Sequence, residues 1–226
     1  MKNTRVDIDI IYEDNHLLAA AKPHGMLTQS QGQEEGLESR LRLWLKNKYN
    51  KPGKAFLHAL HRLDRPASGI VLFCKTSKAL SRLQKDMRER NIKKYYAALV
   101  RGSMVNKEDF LIHYIKHGNK KAWVKEESDY LFKEAKLHYQ CVQAKSPYFL
   151  LKVCLFTGRY HQIRAQLAHK SLPILGDTLY GCEECFFDQK GSIALHHTCM
   201  IINHPITKEK LNLEYPYPEK WLQIFS

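Results

Sequence analysis

Within His61-Arg62-Leu63-Asp64-Arg65-Pro66-Ala67-Ser68-Gly69, a single carboxylate stands between two guanidinium groups. The stretch runs into Ile70-Val71-Leu72-Phe73-Cys74, an apolar run that reads as a buried strand. Pro66 and the Ser68-Gly69 pair are turn chemistry, so Asp64 is expected on a shaped loop at the rim of a sheet. Flanking Arg62 and Arg65 favour its anionic form at neutral pH. An anion fixed there can act as nucleophile or general base. It can equally be half of an ion pair that pins a loop. Ser68, His61 and Asp64 are also the residue types of a hydrolytic triad, but one tight loop does not give triad geometry.

Several elements must hold this loop in place. Residues 8–12 and 17–21 read as two strands joined by the turn Glu13-Asp14-Asn15-His16, and Lys22-Pro23-His24-Gly25 then breaks regular structure. Lys22 on its own reads as a solvated turn residue. Leu37, Leu41, Trp44 and Leu45 recur at helical spacing over residues 36–48, with basic residues opposite, and Trp44 belongs to the packing stripe. Ser77 suits the N-cap of a helix with Leu80, Leu83 and Met87 on one face and Lys78, Arg82, Lys85, Arg88 and Arg90 on the other. In the strand from Lys94 to Gly102, Tyr96, Ala98 and Val100 share one face and Tyr95 takes the other.

Residues 103–135 look least regular. Lys116, Lys120, Lys121 and Lys125 with Trp123 fit either a nucleic-acid contact arm or a solvated hairpin. Residues 137–143 and 149–156 alternate as a strand pair. Thr157-Gly158 should end the second strand and cap a helix over 159–169. There Ile163 and Leu167 face the core, and His161 and Arg164, three apart, lie over a cleft.

The chain has 226 residues, with 36 Lys and Arg against 23 Asp and Glu, a net charge of +13 and a pI near 9.4. Such a surplus points to a polyanionic partner, nucleic acid before membrane. No apolar run approaches the ~18 residues of a membrane span, and the first residues lack a signal-peptide core, so a cytoplasmic protein is expected. Cys74, Cys141 and Cys154 lie in apolar or alternating runs and read as small core residues. Cys182, Cys185 and Cys199 with His196 and His197 could supply a tetrahedral zinc site, or be reduced thiols near a loop.

The loop at 61–69 resembles the signature of the RluA-type pseudouridine synthases: His-Arg-Leu-Asp, two variable positions, a small residue, then Ser-Gly. Lys94-x-Tyr96-x-Ala98-x-Val100-x-Gly102 resembles that family's second motif at all five defined positions, and Thr157 to Ala168 its third without a gap. The opening, two short strands followed by Lys22-Pro23-x-Gly25, together with Gly176-Asp177-Thr178-Leu179-Tyr180-Gly181, Leu195-His196 and His204-Pro205, extends the likeness, which covers roughly residues 8–218. The insert Cys182-Glu183-Glu184-Cys185-Phe186-Phe187 departs from the pattern, leaving local geometry around 182–192 open.

The resemblance implies an α+β fold: a mixed, largely antiparallel sheet in two lobes flanked by helices, with a central RNA-binding cleft. It implies one catalytic domain over residues 1–226, the family's minimal form without an N-terminal RNA-binding module. The implied activity is isomerisation of uridine to pseudouridine in tRNA or rRNA by a monomer. Asp64 would be nucleophile or base, Tyr96 would stack on uracil or help move a proton, and Arg164 would pair with Asp64 and fill the space left by a flipped base. His61, Arg62, Arg65, Arg159, His161 and Gln162 would bind substrate. Isomerisation exchanges neither electrons nor phosphate, so no cofactor is expected. The family pattern contains His196 without a metal, so no metal is expected either. A non-catalytic RNA-binding protein would carry the same charge but would have no need of Asp64.

Overall fold

The computed structural model describes residues 8–50, 52–53, 55–184 and 191–226. In chain order its elements are β1 (Ile10–Glu13), β2 (Leu17–Lys22), α1 (Leu37–Lys48), β3 (His58–Ala59), β4 (Ser68–Cys74), α2 (Ser77–Arg88) and β5 (Lys93–Arg101). There follow β6 (Glu108–His117), β7 (Ala122–Lys125), β8 (Lys133–Lys145), β9 (Tyr148–Leu155), α3 (Gln162–His169), β10 (Leu195–Asn203) and β11 (Lys210–Glu214). All eleven strands join one sheet, ordered β1-β2-β4-β10-β5-β9-β8-β6-β7, with β11 on β10 and β3 on β4. Among the strand pairings of the described residues only β10–β4 is parallel, so the sheet is mixed and largely antiparallel, as expected.

Continuous apolar runs form strands buried on both faces. β2 and β4 are buried at every position for this reason. Leu37, Leu41 and Leu45 of α1 share a core with Leu18, Ala20, Val71 and Phe73. Ala79 and Leu83 of α2 share another with the alternate residues Leu17, Ala19, Ile70 and Leu72. Each fully buried Leu contributes about 1.5–3 kcal/mol. The helices thereby clamp the strand that carries the Asp64 loop.

Ser68 and Gly69 are not turn residues; β4 begins with them. Gly69 has φ +110°, and a Cβ there would lie 2.4 Å from the His197 carbonyl oxygen. The glycine is demanded by the close approach of β10. Thr76, rather than Ser77, caps α2, its Oγ1 accepting from the Ala79 N–H at 3.3 Å. The stretch read as irregular contains the regular β6–β7 hairpin, with β6 also paired along β8. α3 starts at Gln162 because His161 is in the left-handed region at φ 52°. Gln162 holds that entry: its Oε1 accepts from Thr157 Oγ1 at 2.8 Å and the Arg159 N–H at 2.9 Å. Cys74 is buried as expected, whereas Cys141 and Cys154 are only half-buried. Cys185 and the rest of the insert to Lys190 lie outside the described residues.

Candidate active site

Asp64 sits in the connection from β3 to β4, whose backbone is closed by the Ala67 N–H donating to the Asp64 carbonyl at 3.1 Å. Its charged partner is neither flanking arginine. Arg164 reaches in from α3 and donates from Nη1 to Asp64 Oδ2 at 2.9 Å. The same guanidinium grips Asp177 in a two-pronged contact, Nε to Oδ2 at 2.7 Å and Nη2 to Oδ1 at 2.9 Å. Arg164 and Asp177 are buried, while the Asp64 side chain keeps 26% exposure. One cation thus serves two carboxylates, and Asp64 is the one left facing open space. The paired carboxylates hold the Arg164 guanidinium above its ordinary range against the cost of burial.

That open space is a cavity of about 880 Å³, large enough for a nucleoside and its neighbours. Asp64, Tyr96, Arg164, His61, Arg62, Arg159, His161 and Gln162 all line it. Tyr96 is buried and stacks on His197, ring centroids 4.4 Å apart at 17°. Burial first, then the charge of Asp64, pushes its phenol above the usual range. His161 brings Nε2 to 3.7 Å from Asp64 Oδ2 and Nδ1 to 3.2 Å from the Tyr180 hydroxyl. Burial lowers the His161 pKa, with Asp64 opposing. Tyr160 stacks on His161 at 3.8 Å, and the Arg164 guanidinium lies 5.1 Å over the Tyr180 ring. The result is an anion at the mouth of an aromatic-walled slot, suited to holding a planar base beside a carboxylate.

The other expected site residues divide by what their polar atoms do. Arg65 is not brought to the cavity; it is exposed, pairs with Glu34 at 2.9 Å and donates from Nε to the Gly25 carbonyl at 3.0 Å. Gln162 touches the cavity, but its amide is spent on the 157–161 loop and on the Lys136 carbonyl at 3.1 Å. Arg159 donates from Nε to the Glu134 carbonyl at 2.9 Å. His61 Nε2 accepts from the Leu72 N–H at 3.3 Å, and Arg62 is exposed at the rim. The triad of Ser68, His61 and Asp64 is not assembled, because Ser68 is buried in β4 with Oγ 2.8 Å from His196 Nδ1. Among the described residues the thiols and imidazoles near 182–199 do not converge: Cys182 is in the core and Cys199 Sγ bonds Asn212.

Asp177, Tyr180 and Lys22 join the site beyond the residues that the sequence marks for it. The first two stand in the Gly-Asp-x-x-Tyr-Gly turn, which was the available signal. Lys22 is not solvated. It is buried, and Nζ donates to the carbonyls of Met26, Pro23 and Arg65 at 2.8, 3.0 and 3.2 Å. It thereby ties the Asp64 loop to the end of β2. Burial pushes its ammonium down to about 7, partly opposed by Asp64.

Two imidazoles behind the cavity make the fold acid-sensitive. Burial pushes His196 down to about 4 and His197 down to about 3. His197 Nδ1 meets the Ile70 carbonyl at 2.7 Å, while Nε2 is buried without a hydrogen-bond partner among the described residues. Below the unfolded value near 6.5, the unfolded chain takes up protons that the native one refuses. Stability is therefore full above that value and is expected to fall toward pH 5, by up to about 1.4 kcal/mol per pH unit for each ring. Denaturant unfolding at pH 7.5, 6 and 5 reads this directly, and a flat profile over that window contradicts it.

The family model for RNA pseudouridylate synthase matches residues 16–169, the span holding Asp64, Tyr96 and Arg164. The chain belongs to the RluA-type pseudouridine synthases. It is therefore an isomerase from a family that acts on RNA. The enzyme is 32% identical over 225 residues to ribosomal large subunit pseudouridine synthase C of Buchnera aphidicola subsp. Baizongia pistaciae, covering 95% of this chain and 70% of that one. It is 29% identical over 237 residues to tRNA pseudouridine synthase C of Pasteurella multocida, covering 97% and 95%. Human RNA pseudouridylate synthase domain containing 4 superposes with a TM-score of 0.78 at 21% identity, covering 95% and 91%, a likeness of fold. Among the described residues, no helix is long and apolar enough to cross a membrane.

Proposed function

We propose that the enzyme converts uridine to pseudouridine in tRNA or rRNA and that Asp64 is its catalytic carboxylate. The observation that carries this reading is the Asp64–Arg164–Asp177 relay, which aims one partly open anion into the aromatic slot. The reaction breaks N1–C1′, turns the uracil and joins C5 to C1′; the C5 proton leaves and N1 takes one up. Asp64 acts at the sugar, as nucleophile or as base. Tyr96, kept protonated by burial, offers a ring for stacking and a hydroxyl. Its backing by His197 fixes the plane against which uracil turns.

A stacked base cannot undergo this rotation, so the target nucleotide is flipped into the slot, at a cost of a few kcal/mol that is lowest in a loop. Arg62 and Arg159 at the cavity wall and the basic outer face of α2 supply phosphate contacts, the cations Arg40, Arg42 and Lys48 of α1 being paired with Glu35, Glu38 and Glu13. Affinity should consequently fall with salt, log K against log salt sloping by about −0.7 per phosphate neutralised on looped RNA. A titration from low to physiological salt measures the slope, and a flat response contradicts the charge assignment. The reading itself is tested by tritium release from [5-³H]uridine-labelled tRNA and rRNA transcripts. Mapping pseudouridine in cells with and without the gene then identifies the nucleotide.

A further inference from the structure

The sheet has a second surface that the cavity does not use. On the side of β5, β9, β8 and β6 turned away from Asp64, the register places Phe110 opposite His138, His138 opposite Cys154, Cys154 opposite Tyr95 and Tyr95 opposite Cys199. These residues form one straight row across the strands. Strands lie about 4.8 Å apart, so Phe110 to Tyr95 spans roughly 14 Å. Beside the row, Ile112 stands opposite Lys136, and the Phe156 N–H donates to the Lys136 carbonyl at 3.1 Å. Phe110 and Phe156 contact each other at 5.3 Å. This face is open among the described residues: Phe110 is 48% exposed, Ile112 45% and Phe156 41%.

We propose that this face is a platform for unpaired RNA, on which bases stack against Phe110, Phe156 and Tyr95 while flanking lysines meet the phosphates. It lies outside the cavity and does not depend on any role for Asp64. The choice of occupant follows from charge. Lys93, Lys136 and Lys152 frame the row, and Lys152 Nζ lies 5.4 Å over the Tyr95 ring. Two nearby carboxylates are already engaged, Glu134 with Lys136 at 2.9 Å and Glu108 with His138 at 2.7 Å, and Glu214 stands beyond Cys199 at the far end of the row. Lys93 and Lys152 have no ion pair among the described residues. A second copy of the chain would present the same lysines to themselves, whereas a polyanion satisfies them. Aromatic rings on an open sheet, interleaved with cations, are what single strands require, since every base has a face to stack.

The test uses RNA that cannot be isomerised, a fluorescently labelled 12-nucleotide oligoadenylate. Phe110→Ala/Phe156→Ala is expected to weaken its binding about ten-fold. Lys93→Gln/Lys152→Gln, two exposed changes that spare the core, should weaken it and flatten the salt slope by about 1.4. Ultraviolet crosslinks should fall on peptides of β6, β8 and β9, and Asp64→Asn should bind oligoadenylate like wild type. Because no uridine is present, failure here leaves the catalytic reading untouched, and failure of tritium release leaves this result standing. Affinity within two-fold of wild type in both double variants overturns the proposal. So do crosslinks confined to the cavity, or a sedimenting dimer that the aromatic variant dissociates with RNA affinity unchanged.

Discussion

Asp64→Asn is expected to reduce turnover by roughly a thousand-fold or more, with RNA affinity held or slightly raised. Asparagine is the same size and keeps an oxygen for Arg164 Nη1 to reach, now 2.9 Å from Asp64 Oδ2. The Arg164 grip on Asp177 uses Nε and Nη2 and is unaffected. What disappears is the negative charge, and with it the ability to attack or deprotonate the sugar. The basic surfaces that hold phosphate are intact, and an anion near the polyanion has gone, so binding does not suffer. A fall in kcat without a rise in Kd is the signature of an interaction made in the transition state.

Arg164→Lys should fail in a different way. An ammonium is a point charge and cannot fork onto Asp177 while also reaching Asp64. Asp177, 1% exposed, would be left with an incomplete partner. Breaking a buried pair of this kind costs about 3–5 kcal/mol. Turnover, tight RNA binding and stability should therefore fall together, since the same side chain orients Asp64 and, 5% exposed between two carboxylates, forms part of the cavity wall rather than filling the space left by a flipped base. Denaturant midpoints and RNA affinities measured on one preparation separate the two variants. An Arg164→Lys protein as stable as wild type contradicts the load assigned to the Asp177 contact. Asp177 acts through Arg164, so Asp177→Asn should lower kcat with less effect on KM.

Asp64, Tyr96 and Arg164 were legible because each stands in a motif of fixed spacing, and the structure brings all three to one cavity. The partner of Asp64 was half legible: the likeness pointed to Arg164, while local sequence pointed to Arg62 and Arg65. Neighbours in sequence on an extended loop diverge in direction, and Arg65 turned to Glu34. Lys22 taken alone reads as solvated because a lysine after a strand normally is, and only its place in the Lys22-Pro23-x-Gly25 opening pointed elsewhere. Its burial depends on three carbonyls, one of them 43 residues away, that no local pattern contains. Gly69 looked like turn chemistry, but its reason is the backbone of β10 pressing on it from 128 residues further along the chain. Strand β6 and the first residues of β8 were obscured because their outer positions mix aromatics, lysines and carboxylates, which blurs the alternation that a half-buried strand usually shows, whereas 137–143 of β8 was legible.

The most direct test is a single-turnover time course of tritium release from [5-³H]uridine RNA, run with wild type and Asp64→Asn at saturating enzyme. Wild type is expected to release one tritium per modified uridine, and Asp64→Asn none above background, although both proteins hold the RNA equally. Release by Asp64→Asn at more than a few per cent of the wild-type rate would contradict the role assigned to Asp64.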